Sequence, residues 1–398
     1  MKPEPLNRGL DALNLLLSGA GAAYGAFIPV YLTSHAWTQT RIGLVLTVAT
    51  LASMACQVPA GLLVDALASR RRTLLFLGVL SVGITPLVFA LWPRNLPILL
   101  AMLLQAVAGS ALSPAIAATS LAVAGRAGFG ERLGRNSRYG SIGAGLGAAM
   151  MGACTYFGTE RTIFIIAAIL VFPALWALRK IGPDREQTTA DQEERPGLLA
   201  PLVLLRERRL FIFALCLALF QLASIAVLQL AAVATTARLG SRAGLVIAAF
   251  LIVPQVVVAL FSPAIGRAAE RYGRRTILLI SFATVPLRGA FFALLRNPYT
   301  LIPVQVLEGA GGAAFGVMMP LVAADLTRKS GHYTLCLSLL GLASGLGTAL
   351  STSLAGWVTD GYGRPAAYWV LAATGLAAVA LVAFAMPETR PAPESPAP

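Results

Sequence analysis

Charged residues are scarce in this sequence. Only 12% of its 398 residues are Asp, Glu, Lys or Arg, whereas 57% are hydrophobic. A soluble domain usually carries about 25% charged residues, so this composition excludes a soluble multidomain enzyme, and the dominance of apolar residues excludes a disordered chain. The apolar runs reach about 20 residues, the length of a membrane-spanning helix, and helices satisfy every backbone polar group in lipid. The composition therefore predicts a polytopic helical membrane protein.

Cysteine and histidine are also rare, with four and two copies. The cysteines lie far apart in apolar segments, at Cys56, Cys154, Cys216 and Cys336. Their spacing fits neither a metal site nor a redox pair, so we interpret them as small packing residues. The sequence has no glycine-rich phosphate-binding loop, and no cofactor, metal or ATP is predicted. A membrane enzyme would need clustered acid–base, nucleophilic or metal-binding residues, so an enzyme is not expected.

Apolar runs, interrupted by turn residues and charges, predict twelve transmembrane helices. The predicted limits are 11–33, 41–66, 73–92, 96–122, 135–158, 162–179, 209–237, 243–267, 275–294, 299–325, 333–359 and 364–386. Residues 180–208 are rich in acidic residues and arginine, which predicts a cytoplasmic linker between six-helix bundles at 1–179 and 209–386. The Pro-rich segment 387–398 is predicted to be a disordered cytoplasmic tail.

Lysine and arginine are unevenly divided between the two sets of loops. They concentrate on the side of the N-terminus, as in Arg70-Arg71-Arg72. Because Lys and Arg in short loops stay in the cytoplasm, both termini are predicted to be cytoplasmic. A net charge of +14 would indicate nucleic acid binding in a soluble protein, but here topology explains it, and no nucleic-acid partner is expected.

The two predicted halves are similar to each other. Residues 59–72 end span two and open the next loop, and residues 266–275 do the same at span eight. Spans five and eleven share a Gly-Leu-Gly triplet, at 145–147 and 345–347. Two related halves joined by a linker suit a transporter that alternates access by rocking one half against the other.

On these features the sequence resembles the major facilitator superfamily over essentially its whole length. The family's most specific element is a Gly-x-x-x-Asp loop followed by basic residues, here starting at Gly61, with a second copy in which Glu270 replaces the aspartate. Ala66 and Ala68 stand where the family usually has Arg and Gly. The resemblance implies a monomeric secondary transporter embedded in the lipid bilayer of the bacterial cytoplasmic (inner) membrane.

The resemblance also implies a gate on the cytoplasmic side, closed by ion pairs and helix-end dipoles. The candidate gating residues are Asp65, Arg70, Arg71, Arg72, Glu270, Arg274 and Arg275. The alternative for the arginines is a purely topological role as cytoplasmic anchors. That alternative does not account for an aspartate at the inner end of an apolar helix.

Two ionisable residues fall well inside predicted spans, Arg288 in span nine and Glu308 in span ten. Such groups cost roughly 2.5–3.5 kcal/mol on insertion scales and suggest function. Glu308 is the candidate proton-coupling carboxylate, because partial desolvation moves the pKa of a carboxyl toward working pH. The alternatives are a permanent ion pair with Arg288 and direct substrate contact, while Arg288 could instead extend outward to the membrane surface.

By resemblance, a central cavity lies between spans one, four, seven and ten. The candidate substrate-binding residues are Asn14, Tyr24, Gln105, Ser113, Gln221, Ser224, Gln305 and Arg288. Buried amides need hydrogen-bond partners, so bonding between helices competes with substrate contact for each of them. With few deep charges, this set favours neutral, cationic or amphipathic small molecules.

The predicted function is a proton-coupled secondary active transporter of a small organic solute, working by alternating access. Efflux by antiport is favoured, because Gly143-x-x-x-Gly147 resembles a signature of drug:proton antiporters, although Ala148 stands where that signature has Pro. A proton-coupled uptake symporter is the alternative, and a non-transporting membrane sensor is a remote one. The expected partners are the solute, protons and lipid.

Overall fold

The structure of the protein is a computed structural model. It describes residues 4–25, 39–67, 70–126, 128–157, 160–180, 207–239, 243–328 and 332–390, together with residues 28, 31, 32, 35 and 37. Most of the predicted linker and residues 391–398 of the predicted tail therefore lie outside the described residues.

Twelve helices follow one another along the described part of the chain. They are α1 (Glu4–Gly25), α2 (Gln39–Ala66), α3 (Arg71–Leu91), α4 (Asn95–Ala124), α5 (Phe129–Phe157), α6 (Glu160–Ile169 and Val171–Lys180), α7 (Arg208–Leu239), α8 (Ala243–Tyr272), α9 (Arg274–Leu294), α10 (Leu301–Leu326), α11 (Tyr333–Tyr362) and α12 (Arg364–Ala385). Helix α6 is interrupted just before Pro173, which has no N–H to donate to Ile169. The predicted all-α membrane fold of two six-helix halves is confirmed.

Ten of these helices are long and apolar enough to cross a membrane. The other two are α1 and α5. Helix α5 begins at Phe129, earlier than the predicted limit of 135, because its first polar side chains are paired with side chains of α1. The sequence prediction placed residues 129–134, including the polar Arg132, in a loop.

Two pairs of helices make the most extensive contacts between the two halves, with smaller contacts of α5 with α10 and of α4 with α11. Helix α2 packs against α11, and α5 packs against α8. Within the halves, α1 packs against α5 and α7 packs against α11 in the same way. When each helix is replaced by its equivalent in the other half, the α2–α11 pair becomes the α8–α5 pair, and the α1–α5 pair becomes the α7–α11 pair. This is the symmetry expected of two repeated bundles.

The repeated Gly-Leu-Gly triplets lie at equivalent helix crossings. A Cβ atom at Gly147 would lie 2.1 Å from the carbonyl oxygen of Gly19 in α1, and one at Gly347 would lie 2.1 Å from that of Ala218 in α7. Only glycine permits these backbones to approach so closely. The sequence repeat thus corresponds to a repeated packing contact.

One end of the bundle carries the starts of the odd-numbered helices and the ends of the even-numbered ones. We call it the basic end, because it includes the α2–α3 loop with its run of arginines, Arg70 to Arg72. Residues 387–390 of the predicted tail are described and lie here. Glu388 accepts hydrogen bonds from the backbone N–H groups of Arg274 and Arg275 at the start of α9.

Candidate functional site

Asp65 joins the two halves at the basic end. It is located in the last turn of α2 and accepts hydrogen bonds from the backbone N–H groups of Thr334, at 3.2 Å, and Leu335, at 2.8 Å. These donors belong to the first turn of α11, where N–H groups have no partner within the helix. A carboxylate in this position also interacts favourably with the positive end of the helix dipole.

Glu270 makes the equivalent connection between the other two helices. It is located at the end of α8, and its Oε1 accepts a hydrogen bond of 3.1 Å from the backbone N–H of Gly130 at the start of α5. The helices approach closely here, because a Cβ on Gly266 would lie 2.2 Å from the carbonyl oxygen of Gly130. We call the Asp65–α11 and Glu270–α5 contacts the two latches.

The predicted gating arginines have varied surroundings. Arg70 and Arg72 are exposed, and Arg71 is half-buried. Arg274 is buried and pairs with Asp325 of α10, with 3.0 Å between Nε and Oδ2. Arg275 donates to the carbonyl oxygen of Ala383 in α12. Backbone N–H groups therefore hold the latch carboxylates, while Arg274 and Arg275 tie the helices of the C-terminal half together.

A cavity of about 840 Å³ lies between the two halves. Its described walls come from α1 to α5, α8, α10 and α11. Spans one, four and ten line it as expected, but none of the described lining residues belongs to α7. The α7 side chains Gln221 and Ser224 bond instead to α11, α9 and α10. The polar side chains that line it are those of Asn14, Ser18, Ser53, Gln57, Gln105, Ser110, Ser113, Asn136, Ser137, Ser141, Gln255 and Ser338. Among the described lining residues none is charged.

Three of the predicted substrate-binding residues line this cavity: Asn14, Gln105 and Ser113. Gln221 lies elsewhere and donates to the hydroxyl of Thr348 in α11 at 3.4 Å. Gln305 is fully buried, and neither of its amide atoms has a partner among the described residues. The side chain of Tyr24 lies outside the described part of the structure.

The predicted residues Ser224 and Arg288 form one cluster with Glu308, across three helices. Arg288 of α9, whose side chain is 2% exposed, forms an ion pair with Glu308 of α10. Its Nη1 also donates to the carbonyl and hydroxyl oxygens of Ser224 in α7, at 3.3 and 3.2 Å. The Ser224 hydroxyl donates to the same Glu308 oxygen at 2.9 Å. Arg288 is thus held inside the bundle and does not extend to the membrane surface.

Glu308 is partly accessible and shares a helix face with the cavity wall. Its side chain is 31% exposed. The lining residues Gly312 and Gly316 follow it at intervals of four along α10, and residues four apart in a helix lie on the same face. Glu308 is therefore one turn away from the cavity lining, while its ion-pair partner is buried.

A second buried charge cluster lies in the N-terminal half and was missed by the sequence analysis. Asp11 of α1 pairs with Arg132 of α5 at 2.5 Å and also with Arg135. Arg132 donates further to Asn136 at 2.7 Å, and Asn14 donates to the same amide oxygen at 3.2 Å. The i, i+3, i+4 spacing of Arg132, Arg135 and Asn136 was the available signal, because it puts all three on one helix face.

Several lining residues were also left unassigned. The candidate helices were chosen by resemblance, so no substrate-binding residue was predicted on α2, α5, α8 or α11. The available signal on α5 was a stripe of small polar residues at helical spacing, Ser137 and Ser141 with Gly140 and Ala144. Among the described residues, no group of three metal-binding side chains lies close enough to hold a metal ion.

Known proteins resemble this chain over its whole length. The family model of the Major Facilitator Superfamily matches residues 12–255 and, again, residues 230–398. An uncharacterised MFS-type transporter of Mycobacterium tuberculosis is 31% identical over 395 residues, covering 97% of this chain and 94% of that protein. A multidrug resistance protein B homolog of the same species is 31% identical over 139 residues, covering 34% of this chain and 25% of that protein.

Solved structures share the fold. The crystal structure of the human organic anion transporter MFSD10 superposes with a TM-score of 0.76 at 15% identity, covering 96% of this chain and 100% of that chain. At this identity the likeness concerns the fold alone. The family match and the full-length relative, together with the two repeated bundles around a central cavity, show that this chain belongs to the Major Facilitator Superfamily.

Proposed function

We propose that this protein is a proton-coupled secondary active transporter that moves a small organic solute by alternating access, with efflux as the favoured direction. The basic end is the cytoplasmic end in this proposal, as the positive-inside rule indicates. The conformation described above is then closed toward the cytoplasm. Both termini lie in the cytoplasm, and the protein works as a monomer in the cytoplasmic membrane.

The observation that carries the proposal is the central cavity held shut at one end by two equivalent latches. Both latches join the N-terminal half to the C-terminal half through a carboxylate and a helix start. Opening the basic end requires both to break, and their symmetry allows the halves to separate as rigid bodies. Such a movement would expose the same cavity to the other side of the membrane.

Proton coupling is assigned to Glu308 because of its position beside Arg288. Protonation of Glu308 removes the counter-ion of a buried guanidinium, and an unpaired buried charge is unstable. The protonated state therefore favours a rearrangement that gives Arg288 water or another partner. Because Ser224 of α7 hydrogen-bonds to both groups, the change also reaches the contact between α7 and α10.

The preference for efflux has two supports. The glycine-rich stretch of α5 resembles that of drug:proton antiporters, and one relative is a multidrug resistance protein B homolog, although the match spans only 34% of this chain. Uptake by symport uses the same latches and the same carboxylate and remains the alternative. A non-transporting sensor would share the fold without moving solute.

Proton flux in liposomes tests the proposal. The protein is reconstituted with a pH-sensitive dye inside, and gradients of uncharged, cationic and anionic solutes are applied to wild type, Glu308→Gln and Asp360→Asn. Asp360 is an exposed carboxylate at the far end of α11 and serves as the matched control. We expect a solute to drive proton flux in wild type and control, and Glu308→Gln to exchange that solute without moving protons.

The direction of flux distinguishes antiport from symport. Because Glu308→Gln leaves Arg288 without its carboxylate, folding is checked with the double variant Arg288→Gln/Glu308→Gln, in which both charges are absent and coupling is again expected to be lost. Full coupling in Glu308→Gln would contradict the role of Glu308. If no solute is moved by wild type, transport itself is contradicted.

A further inference from the structure

The contact between α2 and α11 continues from the Asp65 latch into the cavity. On α2, Gln57, Gly61 and Asp65 follow one another at intervals of four and so lie on one face. A Cβ on Gly61 would lie 2.5 Å from the Ser338 hydroxyl oxygen, and one on Gly341 would lie 3.0 Å from Gln57 Nε2. We call this row the seam, formed by residues 57, 61 and 65 of α2 and residues 335, 338 and 341 of α11.

Two polar atoms in the seam are buried without partners. Among the described residues, Gln57 Oε1 accepts no hydrogen bond, and the Ser338 hydroxyl neither donates nor accepts one. Ser338 is only 1% exposed. Buried polar atoms are nearly always paired, because an unpaired one loses its hydration without compensation. Both residues also line the central cavity.

Two nearby serines do have hydrogen-bond partners, unlike Ser338. Ser344, two turns further along α11, donates to the carbonyl oxygen of Leu340 at 2.8 Å. Ser110 in the opposite wall donates to the carbonyl oxygen of Val107 at 2.7 Å. A serine within a helix normally finds such a partner one turn back. Ser338 and Gln57 instead keep hydrogen-bonding capacity at the place where the two halves meet.

The rest of the cavity wall limits what a ligand there can carry. The described lining residues offer amides and hydroxyls from the N-terminal half, whereas the C-terminal half contributes mainly apolar side chains such as Val258, Phe315 and Met319. A charged solute buried there would lack a counter-ion, which is costly. An uncharged solute with a polar face and an apolar face fits both walls.

We infer that Gln57 and Ser338 form a hydrogen-bonding subsite for an uncharged hydroxyl or amide group of an amphipathic solute. The inference rests on the proposed function and names the solute class of its cavity. Both atoms are covered in the described conformation, so the two side chains rotate toward the cavity that they line. A solute hydroxyl then donates to Gln57 Oε1 and exchanges a hydrogen bond with the Ser338 hydroxyl. It therefore bridges the two halves next to the Asp65 latch.

Three probes with a common phenyl group test the solute class. They are phenyl β-D-glucopyranoside, which is uncharged and bears hydroxyls, phenyltrimethylammonium, which is cationic, and benzoate, which is anionic. Their affinities for the purified full-length protein in lipid nanodiscs are compared by calorimetry. We expect the glucoside to bind more tightly than either ion. Equal or tighter binding of an ion, or no binding of the glucoside, overturns the assigned class.

Two variants test the subsite, with a matched control. Ser338→Ala and Gln57→Leu each remove one hydrogen bond to the solute and are expected to weaken glucoside binding by roughly threefold to tenfold. Ser344→Ala, on the same helix but outside the cavity lining, should leave the affinity unchanged. The three variants are also compared by melting temperature without ligand.

The melting temperatures separate a binding role from a structural one. Ser338→Ala deletes an atom that has no partner among the described residues, so its melting temperature should equal or exceed that of wild type. Ser344→Ala deletes a paired hydroxyl and should melt lower. If the seam variants keep full glucoside affinity, the subsite is refuted. The proton-flux experiment is independent of these probes, so the transport proposal would survive that result.

Discussion

Asp11 neutralises two arginines in the N-terminal half, one of them almost fully buried. Removing one partner of a buried ion pair leaves an uncompensated charge and typically costs about 3–5 kcal/mol. We therefore expect Asp11→Asn to lower the stability of the protein by about that amount, measured as a lower melting temperature in detergent. Asp360→Asn, which changes an exposed carboxylate, should melt like wild type.

The double variant Asp11→Leu/Arg132→Met completes this test. It removes both buried charges, so it should recover much of the stability that Asp11→Asn loses. Equal melting temperatures for wild type and Asp11→Asn would show that Asn7 and Asn136, which also contact Arg132, are sufficient to hold it.

Glu388 makes one contact at the basic end sensitive to pH. Burial alone would raise the pKa of this carboxyl, but backbone N–H donors, including those of Arg390 and Arg274, outweigh it and hold the pKa of Glu388 below its usual value. A carboxyl whose pKa is lower in the folded protein stabilises it fully above the unfolded value, and that contribution is lost as the pH falls through the folded value.

Hydrogen exchange measures this effect. The first amides of α9 should exchange slowly at neutral pH and, after correction for intrinsic rates, lose protection in acid, as the pH falls through the lowered pKa of Glu388. In Glu388→Gln their protection should be low both at neutral pH and in acid. A drop of the same size in wild type and variant would assign the pH dependence to another group.

At the scale of helices, glycine at two equivalent crossings sets how closely the helices pack. Gly147 and Gly347 face backbone carbonyls, whereas a Cβ on Gly145 would meet nothing within 4 Å and one on Gly345 would make an ordinary contact with Met54. Overpacking typically costs about 1–3 kcal/mol. We expect Gly147→Ala and Gly347→Ala to lower the melting temperature, and Gly145→Ala and Gly345→Ala to leave it unchanged or raise it. Equal effects of Gly147→Ala and Gly145→Ala, or of Gly347→Ala and Gly345→Ala, would contradict the close approach of the backbones.

The helices themselves could be predicted from the sequence, because a run of about 20 apolar residues has few other stable forms in lipid. The start of α5 could not. Residues such as Arg132 look like loop when hydropathy is read along the chain, since hydropathy does not show that Asp11 lies opposite on another helix. A buried ion pair is a property of two helices together.

The candidate site could be predicted only in part, because contacts between helices also decide which polar side chains face the cavity. Asn14, Gln105 and Ser113 line the cavity, as predicted from their polarity on helices that the family resemblance places around it. Gln221 has equal polarity but is turned toward Thr348, and only the packing of α7 on α11 decides this. The pairing of Glu308 with Arg288 was one of the alternatives considered, and the structure contains that pair.

At the scale of the whole molecule, we propose that the two latches hold the basic end closed. Each latch carboxylate accepts N–H groups at the start of a helix in the other half. Asn or Gln at these positions keeps the size of the side chain but removes the charge that favours a helix N-terminus. The double variant Asp65→Asn/Glu270→Gln should therefore populate a state that is open at the basic end.

The distance between the two halves at the basic end tests alternating access most directly. Spin labels are attached at Thr73→Cys in α3 and Arg267→Cys in α8, both exposed positions, in a background with the native cysteines replaced by serine. Electron–electron resonance in lipid should give one short distance for this parent and for Asp360→Asn. The double latch variant should add a second, longer distance. Identical distributions in the parent and the double variant would contradict a basic end that the latches hold closed.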